Sequence, residues 1–176
     1  AIVSNSSTAG FVAIKAIYSN YFSFVVVLTN NKAVAWGYLS STGGAFGSAA
    51  LDQSLTDVKA VYSTAYAYAA LKNNGTVVAW GMSTDGGSAP NSVTDSDDAN
   101  FVAVEVIYAN GGAFAALRTD GTVVAWGNSS NGNTAPSGLS NVKSIYVTNT
   151  AFAALKTDGT VVAWGNATNG GTVPSV

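Results

Sequence analysis

One unit, written four times with invariant internal spacing, constrains this chain more than any other feature. Tyr18, Tyr62, Tyr108 and Tyr146 are each followed 18 residues later by Trp36, Trp80, Trp126 and Trp164. Six residues after each Tyr stands a second aromatic: Phe24, Tyr68, Phe114 or Phe152. The connections from each Trp to the next Tyr vary instead, at 26, 28 and 20 residues. A constant core with variable links is how loops absorb change around a fixed scaffold. The 176 residues thus read as one repeat domain with units at about 11–54, 55–98, 99–139 and 140–176.

Each unit reads as short strands. In the fourth, Val-Lys-Ser-Ile-Tyr at 142–146, Ala-Phe-Ala-Ala-Leu at 151–155 and Thr-Val-Val-Ala-Trp at 160–164 are strand-length runs bounded by Gly, Asn and Asp. The second and third runs are joined by Asn74-Gly75, Asp120-Gly121 or Asp158-Gly159, pairs that supply the positive φ a tight hairpin requires. The first unit has Asn30-Asn31 there, and Asn is the non-Gly residue that best tolerates the left-handed conformation. The turn residues are therefore Asn31, Gly75, Gly121 and Gly159.

Both faces of these strands are apolar: Phe114 and Ala116 lie on one face, Ala113, Ala115 and Leu117 on the other. A small sheet with two apolar faces must be covered on both. The expected fold is all-β: four tandem repeats of short antiparallel strands, a hairpin plus one strand, stacked face to face as in a propeller or a solenoid. The Tyr, Phe and Trp columns then form the core between sheets, with a glycan-stacking strip as the alternative use of the same rings.

Composition fits that reading and closes off several chemistries. Hydrophobic residues make up 48% and charged residues only 9%, with no His and no Cys. No thiolate, imidazole base, His/Cys zinc site or disulfide framework can be built, and no cofactor is implied. A net charge of −2 argues against nucleic acid, whose binding needs clustered cations. Even the charges recur in register, Lys15, Lys59, Glu105 and Lys143 in one column and Lys72, Arg118 and Lys156 in another, as expected of solvated positions at strand edges. No apolar run approaches the 18 or so residues of a membrane helix, so no membrane insertion is expected. Asp95, Asp97 and Asp98 are the one acidic cluster. It sits in a single linker without the spacing of a calcium loop and reads as a solvated loop. The chain reads as non-enzymatic.

The run VKSIYVTNTAFAALKTDGTVVAWGN resembles the repeat of the regulator of chromosome condensation family. It is closer still to the long AFAALK-D-G-x-V-V-x-W-G arrays of large bacterial and protist surface proteins. The resemblance covers all four copies, about residues 11–170. It implies propeller-type blades. The family's His in the second strand and its G-Q-L-G ending are missing, and four copies do not make the family's seven blades. The nucleotide-exchange activity of its founding member is therefore not carried over.

The ends read as two halves of one linker. Residues 166–176 followed by 1–10 would run Gly-Gly-Thr-Val-Pro-Ser-Val into Ala-Ile-Val, matching the internal Gly-Gly-Ser-Ala-Pro linker that leads to Phe-Val-Ala and Ile-Tyr. Such cyclic continuity fits a closed ring, a head-to-tail filament or a segment of a longer array. The first unit is unusually bulky at Phe22, Val25, Val27 and Leu28, where an isolated solenoid would need a polar cap. These four residues are the expected assembly surface. The favoured function is a structural, self-assembling extracellular or cell-surface protein whose partner is itself, in a head-to-tail homopolymer. The alternative is a closed four-bladed binding module for glycan or protein, with a loop aromatic such as Tyr38 as contact. The Ala1-Ile2-Val3 start and the Ser/Thr/Asn-rich composition point to a processed or excised secreted chain. Four sequons occur, at Asn5, Asn74, Asn128 and Asn166, about as many as chance supplies. Asn128 and Asn166 share one repeat position after Trp-Gly and are the sites at which a glycan would be accessible.

Overall fold

The computed structural model describes residues 13–37, 55–97 and 102–174. Among them lie four separate three-stranded antiparallel sheets, each with its middle strand paired to both neighbours. Sheet one is β1 (Ile14–Ser19), β2 (Ser23–Leu28) and β3 (Ala33–Gly37). Sheet two is β4 (Val58–Ser63), β5 (Ala67–Lys72) and β6 (Val77–Gly81). Sheet three is β7 (Val104–Ala109), β8 (Ala113–Arg118) and β9 (Val123–Gly127). Sheet four is β10 (Val142–Val147), β11 (Ala151–Lys156) and β12 (Val161–Gly165). The sheets follow one another in tandem and do not close.

The second hairpin of each sheet turns through a left-handed residue, with φ of 61° at Asn31, 83° at Gly75, 78° at Gly121 and 85° at Gly159. The residue before the turn glycine fixes the turn from its side chain. Asp120 Oδ1 accepts from the Thr122 N–H at 2.9 Å and from its hydroxyl at 2.6 Å. Asp158 does the same with Thr160, and Asn74 with Thr76. Asn74 therefore lies in a hairpin turn whose geometry its own side chain sets.

The first strand of every sheet carries a bulge at one position. Pairing skips Lys15, Lys59, Glu105 and Lys143, each of which is the extra residue on its strand. All four are exposed. A bulge leaves one residue unpaired and turned out of the ladder, which is why this charged column recurs. The second charged column is placed differently from its expected strand edge. Lys72, Arg118 and Lys156 end the middle strands and are half-buried. The Arg118 guanidinium donates through Nη2 to the Ser92 carbonyl at 3.1 Å.

Three apolar clusters join consecutive sheets. Val25 and Val27 of sheet one meet Val58, Val61, Tyr68 and Trp80 of sheet two. Ala67, Ala69 and Leu71 meet Val104, Ile107, Phe114 and Trp126 of sheet three. Ala113, Ala115 and Leu117 meet Val142, Ile145, Phe152 and Trp164 of sheet four. Each contact sets the aromatic face of one sheet onto the small-residue face of the sheet before it.

Candidate assembly interface

The two aromatics that recur in each repeat are direct cross-strand partners: Phe24 with Trp36, Tyr68 with Trp80, Phe114 with Trp126 and Phe152 with Trp164. Their rings stack with centroids 5.2–5.5 Å apart, a cross-strand pairing that adds to ordinary burial. In sheets two to four every one of these rings is at most 6% exposed, whereas Phe24 and Trp36 are each 47% exposed. Ile14 and Ile17 follow the same rule. They are exposed, while their counterparts Val58, Val104 and Val142, and Val61, Ile107 and Ile145, are buried. At the other end of the stack Tyr146 and Val161 are exposed, although Tyr18, Tyr62 and Tyr108 pack against the sheet that follows theirs. The stack thus ends in two different unfinished faces, an aromatic head on sheet one and a small-residue tail on sheet four.

Polar groups bind successive sheets along the same path. The Trp126 indole Nε1 donates to the Gly86 carbonyl, and Trp164 Nε1 to the Gly132 carbonyl, each at 3.0 Å. Gly86, Gly132 and Gly170 end short 3-10 turns that follow the Trp-Gly pairs of sheets two to four, with φ of 100°, 90° and 100°. Asn128 and Asn166 open two of these turns, and their side chains accept from the Ser130 and Thr168 N–H groups. Both sequon residues are half-buried, and capping accounts for their shared repeat position. Between the first and second strands a further column, Asn20, Thr64, Asn110 and Thr148, holds each turn by accepting backbone N–H bonds.

Tyr68 adds a cross-sheet bond, its hydroxyl donating to the Ser23 carbonyl at 2.7 Å. Burial raises its phenol pKa, and the Ser23 hydroxyl, which donates to the phenol oxygen at 3.3 Å, draws it partly back. Burial likewise raises that of Tyr62.

The residues expected to form an assembly surface divide. Val25 and Val27 are wholly buried between sheets one and two, so neither is available to another molecule. Leu28 is half-buried. Phe22 is exposed and sits at the turn end of the stack, with Tyr21 and Tyr66 rings 6.4 Å and 5.6 Å away. The free face of sheet one is the opposite one, carrying Phe24 and Trp36. Alternation alone gave no sign of which face the neighbouring sheet would take.

Among the described residues no three His, Cys, Asp or Glu side chains converge to hold a metal. Asp95 Oδ1 accepts the Asp97 N–H at 2.9 Å in a local turn. Asp98, Asn5 and Tyr38 lie outside the described residues. No helix of the described residues is long and apolar enough to cross a membrane.

No family model matches this sequence, and no curated protein matches it closely. Solved structures do. The chain is similar to Prp20p from Saccharomyces cerevisiae, with a TM-score of 0.64 and 16% identity over 90% of this chain and 46% of that one. Human WBSCR16 gives a TM-score of 0.63 and 18% identity over 93% of this chain and 52% of that one. The CRINKLY WD40 ectodomain of the Arabidopsis thaliana receptor kinase ACR4 gives 0.60 and 17% over 91% and 58%. The chain spans about half the length of each. At these identities the likeness shows the fold alone: four tandem β-sheets arranged as in the propeller structures, without their closure.

Proposed function

We propose that this chain is a structural β-repeat protein that extends its stack of sheets with further copies of itself, head to tail, outside the cell or at its surface. The observation that carries this reading is the unequal fate of one aromatic pair, buried in three sheets and 47% exposed as Phe24 and Trp36 in the first. The head and tail faces differ, so their contact is heterologous and generates a filament unless its rotation closes a ring. Full burial of a large apolar side chain contributes about 1.5–3 kcal/mol. The half-exposed head and tail residues together would gain on the order of 5–10 kcal/mol, similar to the cost of immobilising one molecule on another. Assembly by apolar contact alone is therefore marginal and concentration-dependent. Sedimentation over a wide concentration range, with electron microscopy of the native material, tests this reading. Particles that lengthen with concentration support it, and a monomer persisting at high concentration overturns it.

A second reading is a binding module for a protein or glycan, without catalysis. It is favoured by the aromatic cluster of exposed Tyr21 and Phe22 with half-buried Tyr66, in which Tyr21 meets Tyr66 edge-on at 5.5 Å. Prp20p is described with binding properties to Gsp1p and histones, so a fold of this kind serves protein recognition elsewhere. Binding lost on Tyr21→Ser with the fold intact would favour this reading.

A further inference from the structure

We infer that the joint between copies is an in-register repetition of the interior contact, with sheet one of one molecule seated on sheet four of another as the next sheet of a continuous stack. This rests on the self-assembly reading and specifies the surface that makes it.

Three columns of bonds run through the stack, and each leaves one half at either end. In the first, Val58 N–H donates to the Asn31 carbonyl at 2.9 Å, Val104 N–H to Gly75 and Val142 N–H to Gly121, both at 3.0 Å. Ile14 holds the donor position at the head, and Gly159 the acceptor position at the tail, where no described residue donates to its carbonyl. In the second, Tyr21 N–H donates to Ala65, Ala65 N–H to Gly111 and Gly111 N–H to Asn149, at 3.3, 3.1 and 2.9 Å. This column leaves the Tyr21 carbonyl at the head and the Asn149 N–H at the tail. The third is the indole column made by Trp126 and Trp164 in sheets three and four. Trp36 holds the indole position at the head, and the Gly170 carbonyl the acceptor position at the tail, in the same left-handed geometry as Gly86.

Shape agrees with bonding. A Cβ on Gly75 would lie 2.7 Å from the Ala103 methyl of the next sheet, whereas one on Gly159 would meet nothing within 4 Å. The interior seats for Phe114 and Trp126 are Ala67, Ala69 and Leu71. Sheet four carries Ala151, Ala153 and Leu155 at the same places, with Ala151 buried and Ala153 and Leu155 half-buried. A head-to-head pair would set rings against rings and leave the tail uncovered. The occupant that supplies both the rings and the missing bond partners is a second copy of this chain in the same orientation.

The absence of cysteine makes a crosslinking test clean. In the interior, a Cβ on Gly111 falls 3.3 Å from the Asn149 side-chain Cγ, so the equivalent pair across the joint, Tyr21 of one copy and Asn149 of the next, is within disulfide reach. The double variant Tyr21→Cys, Asn149→Cys is oxidised at a concentration where the wild type assembles. The expected result is a ladder of covalent oligomers, while an equal mixture of the two single variants stops at dimers. Assembly without a ladder overturns this register while leaving self-association standing. An internal disulfide confined to monomers overturns it by showing that the ends meet in one molecule. Failure of the wild type to assemble removes both the register and the reading beneath it.

Discussion

The Trp126 indole crosses a sheet boundary to donate its N–H to the Gly86 carbonyl at 3.0 Å. Gly86 has φ of 100°, and a Cβ there would lie 2.5 Å from the Phe114 ring. One backbone position is therefore fixed twice, by the bond it accepts and by the ring packed against it. Trp126→Phe keeps most of the packing but leaves a buried carbonyl unpaired, a loss of about 1–3 kcal/mol. Gly86→Ala should be the more damaging change, because it adds left-handed strain to overlap with an immobile ring. Urea unfolding of both variants checks the order, and a neutral Gly86→Ala would refute it.

The same truncation should give opposite readouts in the interior of the stack and at its head. Phe114 is fully buried, so Phe114→Ala should cost about 3–5 kcal/mol. Phe24 is 47% exposed, so Phe24→Ala should cost less than half of that in the dissociated chain. Its effect should appear instead in sedimentation, as lost association. Equal destabilisation by the two variants would show that sheet one is covered within the monomer.

Glycine-to-alanine changes at the hairpin turns should grade with position. Gly159→Ala meets open space and carries only the left-handed penalty, about 1–2 kcal/mol. Gly75→Ala carries that penalty plus the overlap with Ala103 at 2.7 Å. Thermal melts should therefore rank Gly75→Ala below Gly159→Ala, and Gly159→Ala should impair assembly more than it impairs folding.

Acid should loosen the last hairpin. The Thr160 hydroxyl, followed by the Thr160 N–H, holds the Asp158 carboxyl down to about 2 from its ordinary 3.8. The Thr122 hydroxyl lowers Asp120 in the same way. A carboxylate with a depressed folded pKa contributes stability above its unfolded pKa and loses it as pH falls through the folded one. The window is thus about pH 4 down to 2. Asp158→Asn keeps the acceptor, as Asn74 does with Thr76 in the second sheet, and should remove this pH dependence. NMR titration of the Asp158 carboxyl checks the value. At the alkaline end the raised Tyr62 and Tyr68 phenols work with the opposite sign. Their contribution is intact below about pH 10 and fades as pH rises towards their folded values.

Strands and turns were legible in the sequence because both obey local rules. The Asp-Gly and Asn-Gly pairs mark the hairpins, and strand-length apolar runs with fixed spacing mark the sheets. The bulges were visible only as an unexplained charged column, since Lys59 and Lys143 reveal nothing of register until a partner strand is placed. The 3-10 turns had a signal, a Gly recurring five residues after Trp-Gly at Gly86, Gly132 and Gly170, whose structural meaning depends on the indole that finds its carbonyl. The choice of outer face was not legible. With both faces of β2 apolar, only the position of sheet two determines that Val25 turns inward and Phe24 outward.

Continued by copies of itself, the described stack would present at every new tail what the next head requires. Every addition makes the same contacts as the one before, so mean length becomes a matter of mass action, growing with concentration and shrinking on dilution. The two unlike ends also make growth easy to poison. A copy altered only at Gly159 still docks by its head but offers a spoiled tail. A small fraction of such copies would act as chain terminators, shortening every particle without unfolding any molecule.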